Sequence, residues 1–197
     1  MARGKMACTR VCYTWRMKSK IMRAWGDDWR EWATDTAHGL VLEIGAGDGV
    51  NFEYYHPDAQ VIATEPDADS LELITDAHHN ITLARVSAEE LPFPDATFDA
   101  VVGTLVFCTI PDAPRALLEV KRVLKPRGSL RLVEHVRAKN RIGRALMHAM
   151  NPAWHWVTGG CNMNRDTLSA VRAAGFQIVE THKQMRGLII GIDARNY

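Results

Sequence analysis

The sequence of 197 residues lacks the features that mark secreted, membrane-spanning or nucleic-acid-binding proteins. Its four cysteines are too few and too scattered for a disulfide framework, and Cys8 and Cys12 have no nearby histidine or second cysteine pair to complete a metal site. No apolar run approaches the ~18 residues that span a bilayer, and the start of the chain has no secretory-signal core. The net charge of +1 gives no basic field for nucleic acid. We therefore expect a cytoplasmic protein with no metal and no nucleic-acid partner.

Charge is nevertheless uneven along the chain. Residues 1–26 carry seven basic side chains and no acidic one, interleaved with apolar residues at helical spacing such as Trp15 and Met22. Such a segment can cover an apolar surface of its own domain or lie on an anionic membrane. We expect residues 1–36 to form a basic amphipathic lid or packing segment, with peripheral membrane contact through residues 1–26 as the alternative. Residues 37–197 are of a length that fits one domain.

Apolar periodicity along the rest of the chain predicts strands that alternate with helices. The predicted strands are 40–44, 60–65, 81–86, 98–107, 129–136, 176–183 and 187–193. The predicted helices are a short one after the first strand, then 67–77, 114–124, 141–149 and 165–174, with a loop over 152–161. This alternation predicts an α/β fold with a mostly parallel sheet, and the last two strands, joined without a helix, predict a hairpin at its end.

The most informative segment is Leu42–Gly49, where a buried strand runs into a turn with glycines at 45, 47 and 49. Backbone without Cβ atoms can bend sharply and lie against a ligand, and a following helix would aim its N-terminal amides at it. The spacing differs from the G-x-G-x-x-G of dinucleotide sites, and the lysine of a phosphate loop is missing. With Glu43 just before the first glycine, the turn suits a ligand with a positive end, such as the ammonium and sulfonium of S-adenosylmethionine.

Further candidate residues follow from the rule that ligands collect beyond the carboxyl ends of the strands of an open sheet. Glu65 closes the second strand roughly twenty residues after the glycines, the offset at which a carboxylate accepts the hydroxyls of a ribose. Residues 87–89 would offer polar groups to an adenine edge, and residues 104–108 would form the floor under the reacting methyl group. The predicted cofactor-binding residues are Glu43, Gly45, Ala46, Gly47, Asp48, Asn51, Glu65, Pro66, Ala88, Glu89, Thr104 and Leu105.

The acceptor side is predicted from fewer signals. Methyl transfer from a sulfonium is an in-line displacement, which needs aligned atoms, excluded water and a base only when the acceptor is not already deprotonated. His135, at the end of the fifth strand, is the candidate base, and a structural histidine is the alternative. The acceptor is expected between the N-terminal segment and residues 151–165. The candidate substrate-pocket residues are Trp15, Cys108, Trp154, Asn162 and Arg165.

Four motifs occur in order along the chain: Leu42–Gly49, Ala88–Pro94, Thr97–Ala100 and Glu119–Pro126. On these motifs, residues 38–193 resemble the class I S-adenosylmethionine-dependent methyltransferases of the methyltransferase type 11 group. The segments 104–108, 133–136 and 160–167 are similar to those of the animal methyltransferase-like thiol S-methyltransferases and their bacterial relatives. The resemblance implies a Rossmann-like seven-stranded sheet with an antiparallel last strand and helices on both faces. It also implies S-adenosylmethionine as cofactor, S-adenosylhomocysteine as product and a small-molecule methyl acceptor.

The acceptor atom stays open at this point. A thiol or sulfide sulfur is the first choice; the alternatives are a hydroxyl or amine of a natural product, lipid or quinone, or a partner subunit that binds the cofactor without chemistry. The segment after the fourth strand lacks the Asp-Pro-Pro-Tyr or Asn-Pro-Pro-Tyr run that would hold an amide or a base amine, which disfavours those acceptors. Two residues depart from the group: Asp48 replaces a usual Thr, and Arg127 replaces the first Gly of a Pro-Gly-Gly turn, which predicts a change of turn type.

Overall fold

The computed structural model describes residues 27–74 and 78–197, so the predicted lid segment 1–26, with Trp15, lies outside the described residues. The strands are β1 (Leu40–Ile44), β2 (Gln60–Thr64), β3 (Ile81–Ala84), β4 (Phe98–Thr104), β5 (Leu124–His135), β6 (Phe176–Gln184) and β7 (Ile189–Asn196). The helices are α1 (Asp27–Thr34), α2 (Ala68–Leu71), α3 (Ala113–Val123), α4 (Arg141–Thr158) and α5 (Thr167–Ala173), with 3-10 turns at Phe52–Tyr54 and Met185–Gly187.

The seven strands form one sheet in the order β3-β2-β1-β4-β5-β7-β6. Strands β1 to β5 pair in parallel, and β7 runs antiparallel to both β5 and β6. The predicted fold class is confirmed, including the closing hairpin and the antiparallel last strand. Strands β2 and β3 lie on one side of β1, and β4 and β5 lie on the other side. Because the order of the strands reverses between β1 and β4, a crevice is expected outside the carboxyl ends of these two strands.

Two apolar cores cover the two faces of this sheet. Strands β1 and β4 are almost entirely buried, as expected of central parallel strands with helices on both sides. Phe98, Leu117 and Leu132 belong to one core, and Val41, Val61 and Val102 to the other. Four of the helices, α2 to α5, begin at a side-chain cap in which an Asp or Asn oxygen accepts an amide three residues on. Among the described residues, none of the helices is both long and apolar enough to cross a membrane.

Helix α1 packs on the sheet through its tryptophans. Gly191 of β7 has no side chain, and a Cβ there would lie 2.7 Å from Trp29 and 2.9 Å from Trp32. The guanidinium of Arg131 lies 4.1 Å from the Trp32 ring centroid, at a distance typical of a cation–π contact. The same guanidinium donates to the Trp32 carbonyl and the Thr36 hydroxyl. The last part of the predicted segment 1–36 is therefore docked on the sheet, and the division at residue 36 stays a prediction.

Three local predictions differ from the structure. The loop predicted over 152–161 is wrong in its first part, because α4 continues through Pro152 to Thr158 and ends only at Gly159, which has a φ of +69°. Helix α2 covers Ala68–Leu71 and is shorter than the predicted helix 67–77. Residues 75–77 of that prediction are not among the residues that the structure describes. Arg127 adopts a φ of +64°, the left-handed conformation that glycine favours. Arg127 thus adopts the backbone conformation that a glycine would adopt at this position. Replacing the glycine therefore does not by itself force the turn to change type.

Candidate active site

A cavity of about 500 Å³ lies at the carboxyl edge of the sheet, where β1, β2 and β4 end. This volume is in the range of small-molecule sites. All of the predicted cofactor-binding residues except Glu43 and Asn51 line it. Arg30, Thr158 and Gly159 line it as well, and none of these three belongs to the predicted site. The cavity therefore gathers chain segments from α1, the glycine turn, the ends of β2 and β4, and the end of α4.

The glycine turn is held against the end of β2 by its backbone. The amides of Gly45 and Ala46 donate to the Thr64 carbonyl at 2.8 and 3.0 Å. Gly45 has a φ of +69°, and a Cβ there would lie 2.3 Å from Val106 Cγ2, so only glycine fits without a shift. Gly45 therefore lets the glycine turn pack directly against Val106, and both residues line the cavity.

The carboxylate of Glu65 is fixed on the cavity wall by two backbone amides. The Gly47 amide donates to one oxygen at 3.0 Å, and the Asp67 amide donates to the other at 3.2 Å. A carboxylate has about four acceptor positions, and these two bonds use one on each oxygen. Glu65, the predicted ribose partner, therefore lies on the cavity wall with both oxygens oriented by backbone amides.

Glu43 and Asn51 lie behind the cavity wall. Glu43 is 1% exposed, and its Oε1 accepts a hydrogen bond of 2.7 Å from the Asn51 side-chain amide, which also donates to Thr104. Arg30 donates to the Asn51 side-chain oxygen at 2.7 Å. Burial raises the pKa of Glu43 to about 7, against the lowering effect of Asn51 and Arg30. These residues form a buried polar chain that connects Arg30, at the cavity, to the start of the glycine turn.

Arg30 is a cationic lining residue that the sequence did not predict. It shares a buried face of α1 with Ala33 and Thr34, at spacings of three and four residues, and the buried Ala37 follows the helix. The predicted amphipathic pattern ended before this stretch. The signal was an arginine on an otherwise small and apolar face, which is an unusual place for a solvated charge.

The floor of the cavity is a strained turn after β4. Leu105 lines the cavity with a φ of +54°, an uncommon conformation for a leucine. Glu134, fully buried in β5, accepts the amides of Val106 at 3.0 Å, Phe107 at 2.8 Å and Cys108 at 3.0 Å. Burial raises the pKa of Glu134 to about 7, and the three amides oppose that rise. Glu134 therefore holds the floor in a shape that the chain would not adopt unaided.

Asn162 and Arg165, predicted for the substrate pocket, brace this floor from behind. Arg165 donates to the Phe107 carbonyl at 2.6 Å and to the Ile110 carbonyl at 2.5 Å. The backbone amide and the side chain of Asn162 both donate to the Cys108 carbonyl, at 2.8 and 3.1 Å. Neither residue lines the cavity. Their polar groups are used to fix backbone, so the structure gives them a positioning role.

His135, Cys108 and Trp154 also lie outside the lining and form a cluster with Cys161. Cys108 and Cys161 are 0% and 2% exposed, and their sulfurs are 3.3 Å apart. The Cys161 sulfur lies 3.6 Å from His135 Nδ1, and the Trp154 ring meets the His135 ring edge to face. A hydrogen bond with Cys108, helped by His135 and Trp154, lowers the pKa of Cys161 to about 4. The predicted base thus faces a thiol rather than the described lining of the cavity.

Comparisons with known proteins agree with this geometry. The family described as "Methyltransferase domain" matches residues 42–132. The chain is 32% identical to human thiol S-methyltransferase TMT1A over 174 residues, which cover 84% of this chain and 71% of the human protein. The chain belongs to the class I S-adenosylmethionine-dependent methyltransferases. The methyltransferase is also 29% identical to rat thiol S-methyltransferase TMT1B over 73% of its own length, and it spans 62% of that protein.

A solved structure shows the same fold for the methyltransferase. It is an S-adenosylmethionine-dependent methyltransferase from Mesorhizobium loti, with a TM-score of 0.65 and 16% identity, and the match covers 85% of this chain and 95% of that one. Membership of the methyltransferase family, shown by the domain match and the human relative, makes S-adenosylmethionine the cofactor. The residues present fit it, since the glycine turn and the Glu65 carboxylate, oriented by the Gly47 amide, line the cavity.

Proposed function

We propose that this methyltransferase transfers the methyl group of S-adenosylmethionine to the sulfur of a small, apolar thiol. The observation that carries the proposal is the wall of the cavity beyond the glycine turn, which is formed by Leu105, Val106, Ile110 and Pro111. Among the described lining residues there is no histidine, lysine, tyrosine or cysteine, and the acidic ones, Asp48, Glu65, Asp67 and Glu89, belong to the glycine turn and to the segments after β2 and β3. Such a wall suits an acceptor that ionises without a general base in contact with it. The names of the human and rat relatives support a thiol.

The cofactor would be held mainly by the first half of the sheet edge. Glu65 would accept the ribose hydroxyls, and Ala88 with Glu89 would border the adenine. Arg30 reaches the cavity and would pair with the carboxylate of the methionine moiety, while Asp48 would face its ammonium group. The backbone of the glycine turn would lie along the ligand between these ends.

The chain's own part in the reaction is alignment and exclusion of water. The bound cofactor supplies a methyl group on a sulfonium, so that the bond from the acceptor sulfur to the methyl carbon forms as the old sulfur–carbon bond breaks. The turn at Leu105, fixed by Glu134, would position the two sulfurs in line across the floor. The thiol proton would pass to solvent before transfer, and S-adenosylhomocysteine and a thioether would be the products. The assignment of His135 as a base stays a prediction.

Three acceptors of the same shape test the acceptor atom. Thiophenol, phenol and aniline differ only in the nucleophilic atom on the ring, so their entry into an apolar cavity is matched. We expect S-adenosylhomocysteine release to be at least about tenfold faster with thiophenol, because the thiol is the most acidic of the three and the thiolate is the reacting form. A Glu65→Ala variant, which should bind the cofactor weakly, is the control for background methylation. Faster turnover of phenol or aniline would overturn the proposal.

A further inference from the structure

Three potential metal ligands from distant parts of the chain meet behind the cavity floor. Cys108 follows β4, His135 ends β5 and Cys161 lies after α4. The two sulfurs and a ring nitrogen of His135 all lie within 4.8 Å of one another. Neither Cys108 nor Cys161 is in a disulfide, and neither is exposed by more than 2%. The cluster is therefore a closed group of soft ligands on three separately anchored segments.

The spacing of the cluster approaches that of tetrahedral zinc. With Zn–S bonds of about 2.3 Å and Zn–N bonds of about 2.0–2.1 Å, two ligand atoms of one ion lie about 3.5–3.8 Å apart. The distance from the Cys161 sulfur to His135 Nδ1 is 3.6 Å, inside this range. The two sulfurs, at 3.3 Å, would separate by only a few tenths of an ångström, roughly a small rotation of one cysteine side chain. Two thiolates and one imidazole form a donor set that favours zinc over calcium or magnesium.

The anchoring of the ligands also fits a metal site. Glu134 accepts the Cys108 amide, and both the amide and the side chain of Asn162 donate to the Cys108 carbonyl. The carbonyl of Leu105, which lines the cavity, lies 3.5 Å from the Cys108 sulfur. An ion in the cluster would thus be bound to the same turn, residues 105–108, that forms the floor of the cavity.

We propose that Cys108, His135 and Cys161 bind one zinc ion behind the cavity floor, with a water molecule as the fourth ligand. Two cysteines and one histidine with a water in the fourth position are a known ligand set of four-coordinate zinc. None of the three side chains lines the cavity, so the ion would brace the floor at Cys108 and would not contact the acceptor. The metal site therefore does not rest on the proposed thiol acceptor. It differs from the sequence-based expectation of no metal.

Metal binding can be tested on the whole chain without any acceptor. Reduced apoprotein, prepared without oxygen, is titrated with ZnCl₂ by calorimetry, and the zinc form is examined by X-ray absorption. We expect about one ion per chain, with two sulfurs at about 2.3 Å and a nitrogen at about 2.0–2.1 Å. The variant Cys161→Ser should weaken zinc binding by more than about 100-fold, at or above the loss seen when a supporting group is removed.

The other two cysteines of the chain give a matched control. The double variant Cys8→Ser/Cys12→Ser leaves only Cys108 and Cys161 as thiols. Zinc binding with two sulfur ligands in this variant supports the site even when Cys161→Ser does not fold. Loss of binding in the double variant, or no zinc binding by the reduced wild type, would overturn the proposal. A wild type that forms a Cys108–Cys161 disulfide in air, but binds no zinc when reduced, also overturns it.

The bracing role of the ion has its own readout. Zinc-loaded and metal-free protein are compared in urea denaturation and in turnover of thiophenol. A higher free energy of unfolding with zinc supports the bracing role, and equal stability with zinc bound overturns it. Turnover of thiophenol by protein that holds no metal would leave the proposed function intact, so failure of the zinc site and failure of the proposed function are distinguishable.

Discussion

The proposed cofactor side and the proposed acceptor side of the cavity use their polar groups in opposite directions. On the cofactor side, the Glu65 carboxylate and the glycine backbone face the cavity. On the acceptor side, Glu134 and Arg165 turn away from it and bind the backbone of the turn after β4, so that leucine, valine, isoleucine and proline form the wall. The first side is built to contact a polar ligand, and the second to hold an apolar surface in a fixed shape.

The largest effect is expected from Glu134. Replacing it by Ala leaves three buried amides without their acceptor, and each unsatisfied buried group costs about 1–3 kcal/mol. We expect Glu134→Ala to lower the free energy of unfolding, measured by urea denaturation, by at least about 3 kcal/mol. Glu180→Ala removes a largely exposed glutamate from β6 and should cost less than about 1 kcal/mol. Equal losses in the two variants would show that the amide clamp does not hold the floor.

A smaller and different effect is expected on the cofactor side. Glu65→Ala should weaken S-adenosylmethionine binding by about 10–100-fold, because a hydrogen bond to a charged group is worth about 1.5–3 kcal/mol. Calorimetric titration with S-adenosylmethionine and S-adenosylhomocysteine measures this, and Glu90→Ala, an exposed glutamate near the same edge, is the control. Stability should change little in either variant. A large loss of stability in Glu65→Ala with unchanged affinity would mean that both sides use their glutamates structurally.

The same difference explains how much the sequence predicts. The glycine turn and Glu65 are recognisable because their geometry is local: one strand, one turn and the next strand end. The acceptor side depends on contacts between residues far apart in sequence, such as Arg165 with the carbonyl of Phe107 and Cys161 with Cys108. From sequence, His135, Asn162 and Arg165 can be chosen as polar residues near this region, but whether they face the cavity is decided by those contacts.

Helix α4 shows a second kind of limit. The tryptophans and glycines of residues 152–161 predicted a loop there. The structure continues the helix past Pro152 and ends it at Gly159, so the glycine pair at 159 and 160 marks the helix end and not the whole segment. As a result Thr158 and Gly159 reach the cavity from the end of a helix, within the segment 151–165 beside which the acceptor was expected. The succession of seven strands along the chain, by contrast, followed from apolar runs and was predicted correctly.

The smallest expected effect, per unit of pH, is the change in the free energy of unfolding caused by the two buried glutamates. Burial raises the pKa of both Glu43 and Glu134 to about 7 from an ordinary 4.5. Between pH 4.5 and 7 the folded protein then keeps protons that the unfolded chain has lost, so stability from these groups is present at the acid end and is lost as pH rises to about 7. Each such group contributes a slope of at most about 1.4 kcal/mol per pH unit.

The two pKa values predict equal slopes. Both carboxyls accept hydrogen bonds that favour the ionised form, from three amides at Glu134 and from Asn51 at Glu43, and burial outweighs them at both sites. Urea denaturation at pH 5, 6 and 7 should therefore show a flatter decline in Glu43→Gln than in wild type, and a similar flattening in Glu134→Gln. If only one variant flattens the decline, the other glutamate is already ionised in this pH range. In that case the two proposed sides of the cavity differ in the charge that is buried behind them.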